Sequence, residues 1–265
     1  MNTAPLPVRI AAHALAGLVL AFLVLPILAV VPASFNHATF IYLPPKAVSW
    51  RWYDSFFADK EWMTTLLNSL EVAVLVTLLS VALGTLAALG LERMGRRGRV
   101  ALAGLFMAPM IVPVIITGVA LYRSAIEIEL SGTIWAVLLG HTVLALPLVI
   151  INVGISLRAV DPNWLRAATG LGAGPWTVFR SITLPNILPG LVGGGVFAFL
   201  TSFDEVVVSI FLAGHQGKTL PAKMWEAVRI ERTPEAAAAA TMMILLAVVL
   251  FVAARLATRR KEASR

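Results

Sequence analysis

The sequence predicts an all-α integral membrane protein with six transmembrane helices. Hydrophobic residues make up 59% of the 265 residues and charged residues only 13%, whereas soluble domains carry about 25% charged residues. Six segments each hold a charge-free run of about 20 residues, the length that crosses a bilayer as an α-helix. We expect a single transmembrane domain over residues 1–265, with spans near 10–33, 67–91, 100–122, 133–157, 186–212 and 234–256.

The loops between these spans predict their orientation. The short loop 92–99, ERMGRRGR, is strongly basic, and basic residues in short loops favour the cytoplasmic side of a membrane. Because six spans return the chain to its starting side, both termini are expected in the cytoplasm. The first apolar run is long for a signal peptide and has one preceding arginine, Arg9, which favours a retained helix. The net charge of +7 is assigned to topology, so no nucleic-acid partner is expected.

Several features are typical of membrane helices that pack into a bundle. Ser80, Gly84 and Ala88 lie four residues apart and predict a face of small residues, along which helix backbones approach closely. The aromatic-rich segment 33–66 is either a belt at the membrane interface or a docking surface for an outside partner. Thr233 is a candidate cap for the last helix.

Two spans contain residues that disturb or specialise a helix. Pro109 and Pro113 remove backbone hydrogen bonds from the third span and predict a bend, either a static kink or a hinge on a transport path. His141 lies within the fourth span. We expect it to make a structural hydrogen bond between helices, with a proton relay or ligand site as the alternative.

The polar segment 158–185, the coupling loop, separates the fourth and fifth spans. Asp161 is a candidate helix N-cap and Pro162 suits the first helical position, so a short helix is expected over 163–169. Its bulky apolar side is predicted to contain Trp164, Leu165 and Ala168. No residue pattern in the loop suggests chemistry on a substrate. A short apolar helix outside the membrane is instead typical of a helix-in-groove contact with another protein.

The spacing of residues in the coupling loop resembles the EAA loop of membrane subunits of binding-protein-dependent ABC importers. That pattern reads E-A-A, three residues, G, nine residues, I-x-L-P. The matching positions are Ala167, Ala168, Gly172, Ile182, Leu184 and Pro185. Arg166 stands where the family has a glutamate, which reverses a charge at the contact. The resemblance implies a type I ABC importer permease-like bundle in the bacterial inner membrane, with ATPase-docking residues Trp164, Leu165, Arg166, Ala167, Ala168, Gly172, Ile182, Leu184 and Pro185.

The resemblance also implies that transport and ATP hydrolysis belong to different subunits. The sequence has no Walker phosphate loop, so we expect no enzyme activity, no catalytic residue and no cofactor in this chain, with ATP bound by a partner. It has no cysteine either, which excludes disulfides and thiolate metal sites. The implied partners are ABC ATPase subunits, a second homologous permease subunit, an extracytoplasmic substrate-binding protein and membrane lipid.

Three acidic residues are candidates for a substrate path. Asp204 and Glu205 follow the fifth apolar run, and Glu71 lies at the start of the second helix. Carboxylates at the edge of a membrane span are costly unless they face water or a cation. We therefore expect these acids near the outer end of the bundle, either lining the path or simply solvated at helix ends.

The fifth span and its continuation narrow the resemblance to one branch of the family. Residues 202–211, SFDEVVVSIF, are followed by TLP at 219–221 and TPEA at 233–236. This combination is similar to spermidine/putrescine permeases of the PotC type. It implies import of a small organic cation. The alternatives are a permease for iron, phosphonate or an amino-acid-like solute, and a membrane anchor or assembly subunit without transport.

Overall fold

The computed structural model describes residues 5–38, 44–45, 47–215, 217–231 and 234–262. Within these ranges the chain forms α-helices joined by short connections and no named β-strand, which confirms the predicted fold class. Contacts divide it into two compact units, residues 1–60 with 226–245 and residues 61–225 with 246–265. The expected cap Thr233, and residues 39–43 and 46 of the aromatic segment, lie outside the described residues.

The first unit contains a long exposed helix and a short buried one. Helix α1 (Leu6–Ser34) is apolar and exposed over most of its length. Helix α2 (Arg51–Ala58) buries Trp52 and Phe56. The indole Nε1–H of Trp52 donates to the carbonyl oxygen of Asn36 at 2.6 Å, which fixes α2 to the residues that follow α1.

The second unit contains most of the remaining helices. A π-helical turn, Phe179–Thr183, joins α8 to α9, and another, Ala227–Glu231, follows α11. The last helix, α12, begins in the first unit and ends in the second. The helices are α3 (Lys60–Arg93), α4 (Arg96–Ile111), α5 (Val114–Glu127), α6 (Ile134–Arg158), α7 (Pro162–Gly170), α8 (Pro175–Val178), α9 (Leu184–Phe203), α10 (Val207–Leu212), α11 (Leu220–Glu226) and α12 (Glu235–Glu262).

Five helices in the described chain are long and apolar enough to cross a membrane. They are α1, α3, α6, the continuous helix Pro175–Phe203 that includes α9, and α12. The pair α4 and α5 passes the same test of length and composition together, so the described chain has up to six candidate spans if this bent pair counts as one. The fifth predicted span ends earlier than expected as a helix, because α9 stops at Phe203 and α10 is separate.

The third predicted span is two helices where one bent helix was expected. The axes of α4 and α5 differ by 105°. Val112 and Pro113 are both extended, with ψ of 133° and 130°. The ring of a proline disfavours the helical conformation in the residue before it. Pro113 therefore ends α4 and starts α5, whereas Pro109 is accommodated inside α4.

The core of the second unit lies where α3, α6 and α9 pack together. The predicted small face of α3 is confirmed, because Ser80 and Ala88 are buried and Gly84 packs against Val149 of α6. Gly190 of α9 approaches α6 so closely that an added Cβ would lie 2.6 Å from the carbonyl oxygen of Asn152. Close backbone approach through small residues is the usual way in which membrane helices gain contact area.

Candidate functional site

The sequence of the coupling loop specifies where its short helix begins. The side chain of Asp161 accepts a hydrogen bond from the backbone N–H of Asn163 at 2.8 Å, and Pro162 occupies the first helical position. This capping confirms the prediction from sequence. The hydroxyl of Thr169 donates to the carbonyl oxygens of Leu165 and Arg166 near the other end. Helix α7 therefore has side-chain hydrogen bonds at both ends.

Gly172 terminates α7 in a left-handed conformation, with φ of +85°. Its N–H donates to the carbonyl oxygen of Thr169, and the N–H of Ala173 donates to that of Ala168, both at 3.0 Å. These two bonds form a Schellman motif, in which a residue with positive φ follows the helix and satisfies its last carbonyls. Glycine adopts this conformation without the steric penalty of a Cβ. The spacing between α7 and the following turn thus depends on Gly172.

The coupling loop presents bulky apolar side chains to its surroundings. Trp164 is 51% exposed, Leu171 89% and Trp176 69%. Leu165 and Ile182 instead pack against the hydrophobic core of the second unit. The expected single apolar side is therefore divided, because neighbouring helix positions point about 100° apart. Exposed apolar patches on a protein surface mark interaction sites.

The other predicted docking residues are distributed around the same loop. Arg166 and Ala167 are exposed on α7, and Ala168 is half-buried. Leu184 is half-buried and Pro185 exposed in the first turn of α9. The guanidinium of Arg166 makes no hydrogen bond or ion pair within the described part of the chain. Its charge is available to a second molecule.

An ion-pair cluster at the base of the coupling loop was not anticipated from sequence. The carboxylate of Glu92, at the end of α3, contacts Arg99 of α4 at 3.3 Å and Arg158 of α6 at 3.2 Å. Arg99 also donates to the carbonyl oxygens of Leu91 and Glu92. The cluster joins three helix ends directly before α7. The one available signal was the glutamate within the basic loop 92–99.

The acidic residues singled out from sequence occupy two places. Asp204 follows the last residue of α9 and is exposed, while Glu205 is half-buried. The carboxylate of Glu205 accepts from the N–H of Val208 at 3.0 Å and thereby caps α10. Glu71 is exposed on α3, and no hydrogen bond or ion pair joins it to the other two acids in the ranges that the structure covers. Those ranges contain no group of three candidate metal ligands.

His141 holds the break between α9 and α10 in place. It is fully buried on α6, and its two ring nitrogens lie 3.0 Å from the hydroxyls of Ser202 and Ser209. The hydroxyl of Ser209 donates its proton to the carbonyl oxygen of Glu205, so it accepts from Nε2–H of His141. Nδ1 then accepts from Ser202. The expected interhelical bond is confirmed, whereas the two serines that complete it were missed.

Residues 80–262 match the family described as binding-protein-dependent transport system inner membrane component. The match covers more than half of the chain. The chain belongs to this family. Membership confirms the resemblance drawn from the coupling loop, and it makes the chain a multi-pass transport component of an inner membrane.

Individual relatives of this inner membrane component cover most of its length. It is 34% identical over 242 residues to "Spermidine/putrescine transport system permease protein PotC" of Haemophilus influenzae, spanning 91% of this chain and 94% of the relative. It is 33% identical over 224 residues to "Putrescine transport system permease protein PotI" of Escherichia coli, spanning 81% and 78%. The predicted similarity to the PotC-type branch is therefore confirmed.

The fold is also that of a solved ABC importer. The chain aligns over 95% of both lengths, with a TM-score of 0.75 and 16% identity, to a bacterial ABC transporter involved in the import of the acidic polysaccharide alginate. At this identity the likeness concerns the fold alone. It confirms the helical permease bundle that the coupling loop implied.

Proposed function

We propose that this inner membrane component is the permease subunit of an ABC importer and carries a small organic cation of the putrescine or spermidine kind. A separate ATPase subunit binds and hydrolyses ATP, and this chain has no cofactor of its own. The observation that carries the first part is the exposed apolar surface of the coupling loop, held at a fixed base by Glu92. The loop transmits movement of the ATPase into α6 and α9, between which it lies.

The docking surface consists of the outward side chains of the coupling loop. Trp164 is the anchor, because an exposed indole supplies a large contact area at a low cost in conformational entropy and tryptophan is common among interface hot spots. Arg166 contacts a carboxylate of the ATPase, which compensates for the charge reversal in this loop. Leu165 and Ile182 pack against the core and thereby hold the loop in position.

Replacing Trp164 tests this surface. We expect Trp164→Ser to weaken binding of the ATPase by about 30-fold, the loss typical of an interfacial hot-spot tryptophan. The matched control is Trp135→Ser, since Trp135 at the start of α6 is 57% exposed but lies outside the loop. Binding is measured by titrating the purified ATPase subunit against the detergent-solubilised permease. Equal affinity for the Trp164 and Trp135 variants would contradict the docking role.

The proposed cargo follows from the names of the relatives and from the two acidic residues between α9 and α10, Asp204 and Glu205. The relatives that cover most of the chain are named for spermidine and putrescine transport. Asp204 is exposed at the end of α9, and Glu205 is held next to it by Val208 and by the His141 network. Two adjacent carboxylates at the end of a span compensate the charge of an amine that leaves water. Glu71 contributes to the same path from α3.

The carboxylates are tested by removing charge while keeping shape. Glu205→Gln retains a side-chain oxygen that accepts from Val208, so α10 keeps its cap. We expect Asp204→Asn and Glu205→Gln to raise the KM of putrescine uptake about tenfold with little change in ATP hydrolysis. Glu127→Gln is the control, because that exposed carboxylate pairs with Arg123 elsewhere in the unit. Unchanged uptake in both variants removes the substrate role, and a selective effect on another solute reassigns the cargo.

The remaining parts of the proposal concern topology and assembly. Both termini lie in the cytoplasm, an extracytoplasmic binding protein delivers the cargo, and a second homologous permease subunit completes the path. Because the sequence contains no cysteine, single cysteines can be introduced without removing native ones. A cysteine at Gly98 should react with impermeant thiol reagents only from the cytoplasmic side. Labelling from the outside would reverse the orientation.

A further inference from the structure

A lateral groove between α3, α4 and α6 is not accounted for by docking or by cargo transport. It has a volume of about 390 Å³ and is open along one side. Its walls come from the three helices and are mostly apolar. The lining side chains include Leu91, Val100, Ala103, Met107, Ile151 and Ile155.

One end of the lateral groove is cationic. Arg99 and Arg158 line it beside Glu92, which pairs with both. Arg158 uses only Nε in this pair and its side chain is 69% exposed, so its two terminal amino groups have no partner in the described chain. Arg96 lies on the same stripe of α4 as Val100, is exposed, and has no partner in the same ranges. Two arginines therefore share one carboxylate, and a third, Arg96, lies on the same stripe of α4 without one in the described chain.

The length of the groove matches one leaflet of a membrane. From Arg99 to Met107, α4 rises by about 12 Å at roughly 1.5 Å per residue. The hydrocarbon core of a bilayer is about 30 Å thick, so one leaflet contributes about 15 Å. The apolar walls are exposed where they border the opening, with Val100 at 66% and Ile155 at 63%. A phospholipid whose acyl chain lies in this groove places its headgroup beside the arginines.

We propose that the lateral groove binds one anionic phospholipid. The lipid phosphate contacts the amino groups of Arg158 and lies near Arg96, and one acyl chain packs between α4 and α6. A free phosphate ion gains nothing from the apolar walls. An apolar helix of another subunit in the groove would leave the two terminal amino groups of Arg158 without water or a hydrogen-bond acceptor, which is costly within a membrane. The proposal does not depend on the identity of the cargo.

Lipid selectivity is the first test. The full chain is purified in detergent, and binding of dioleoylphosphatidylglycerol, dioleoylphosphatidylcholine and glycerol phosphate is compared by native mass spectrometry. We expect only phosphatidylglycerol to bind with high occupancy. Arg96→Gln should weaken that binding about fivefold without affecting a folded contact. Arg180→Gln, which removes an exposed arginine from the coupling loop, should leave it unchanged.

Filling the groove is the second test. A Cβ added at Gly154, which lines the groove, meets no neighbouring atom within 4 Å, and the same holds for a Cβ added at Gly104 outside the lining. Gly154→Leu should abolish selective phosphatidylglycerol binding, whereas Gly104→Leu should preserve it. The proposal is overturned by equal binding of the two phospholipids or by binding of glycerol phosphate alone. It is also overturned by equal behaviour of the two leucine variants, or by cysteine cross-linking from position 155 that places a second permease in the groove.

Discussion

Replacing Gly172 by alanine should destabilise the turn that ends α7 without adding a steric clash. At φ of +85°, an L-residue with a Cβ costs about 1–2 kcal/mol relative to glycine. The position is otherwise open, since an added Cβ meets no atom within 4 Å. The two hydrogen bonds of the Schellman motif contribute about 1 kcal/mol each. The strain is therefore comparable to the free energy that holds the turn, and the ratio of docking-competent to displaced loop should fall by about 5–30-fold.

Two neighbouring glycines supply matched controls for Gly172. Gly170 ends α7 in helical conformation, and Gly174 is extended, with φ of −69°. Both have open space for a Cβ. We expect Gly172→Ala to lower ATPase affinity and cargo-stimulated ATP hydrolysis, Gly172→Asn to have a smaller effect because asparagine tolerates positive φ, and the alanine variants of the two controls to behave as wild type. Equal ATPase affinity for Gly172→Ala and Gly174→Ala would refute the argument.

Two further substitutions test the packing that supports the site. Ser209→Ala leaves the buried Nε2–H of His141 without an acceptor and should destabilise the protein by about 1–2 kcal/mol in thermal unfolding. Ser80→Ala should be neutral or stabilising, since the buried Ser80 hydroxyl has no partner among the described residues, and equal losses in both would contradict the assigned network. Gly190→Ala places a Cβ 2.6 Å from a backbone carbonyl oxygen of α6 and should lower stability by about 1–3 kcal/mol. Gly193→Ala, whose nearest neighbour is a side-chain atom at 3.4 Å, should be close to neutral, and a larger loss there would show that α6 and α9 do not pack this way.

Features that depend on local backbone chemistry were predictable from the sequence. Asp161 and Pro162 specify a helix start through properties of their own side chains, so the position of α7 followed from two residues. The residue spacing of the coupling loop identified the family, because Gly172 has a backbone conformation that few other residues adopt. Long apolar runs predicted a membrane protein, because the length and composition of a helix decide whether it can span a bilayer.

Features that depend on which helices meet were not predictable in the same way. Pro109 and Pro113 look equivalent in sequence, but only Pro113 separates two helices. Ser202 and Ser209 gain their roles from His141, which is distant in sequence, so no local pattern indicated them. Trp164 and Leu165 are adjacent and similarly apolar, and only the packing of α7 on the core decides which of them faces outward.

We expect ATP hydrolysis by a partner subunit to drive import through this chain by way of its coupling loop. The most direct measurement is labelled putrescine uptake by proteoliposomes containing the chain, a second permease subunit, the ATPase and the binding protein, with and without ATP. We predict uptake that requires ATP and is lost with Trp164→Ser but retained with Trp135→Ser. Uptake independent of ATP, or equal uptake by the two variants, would show that the coupling loop does not link ATP hydrolysis to import.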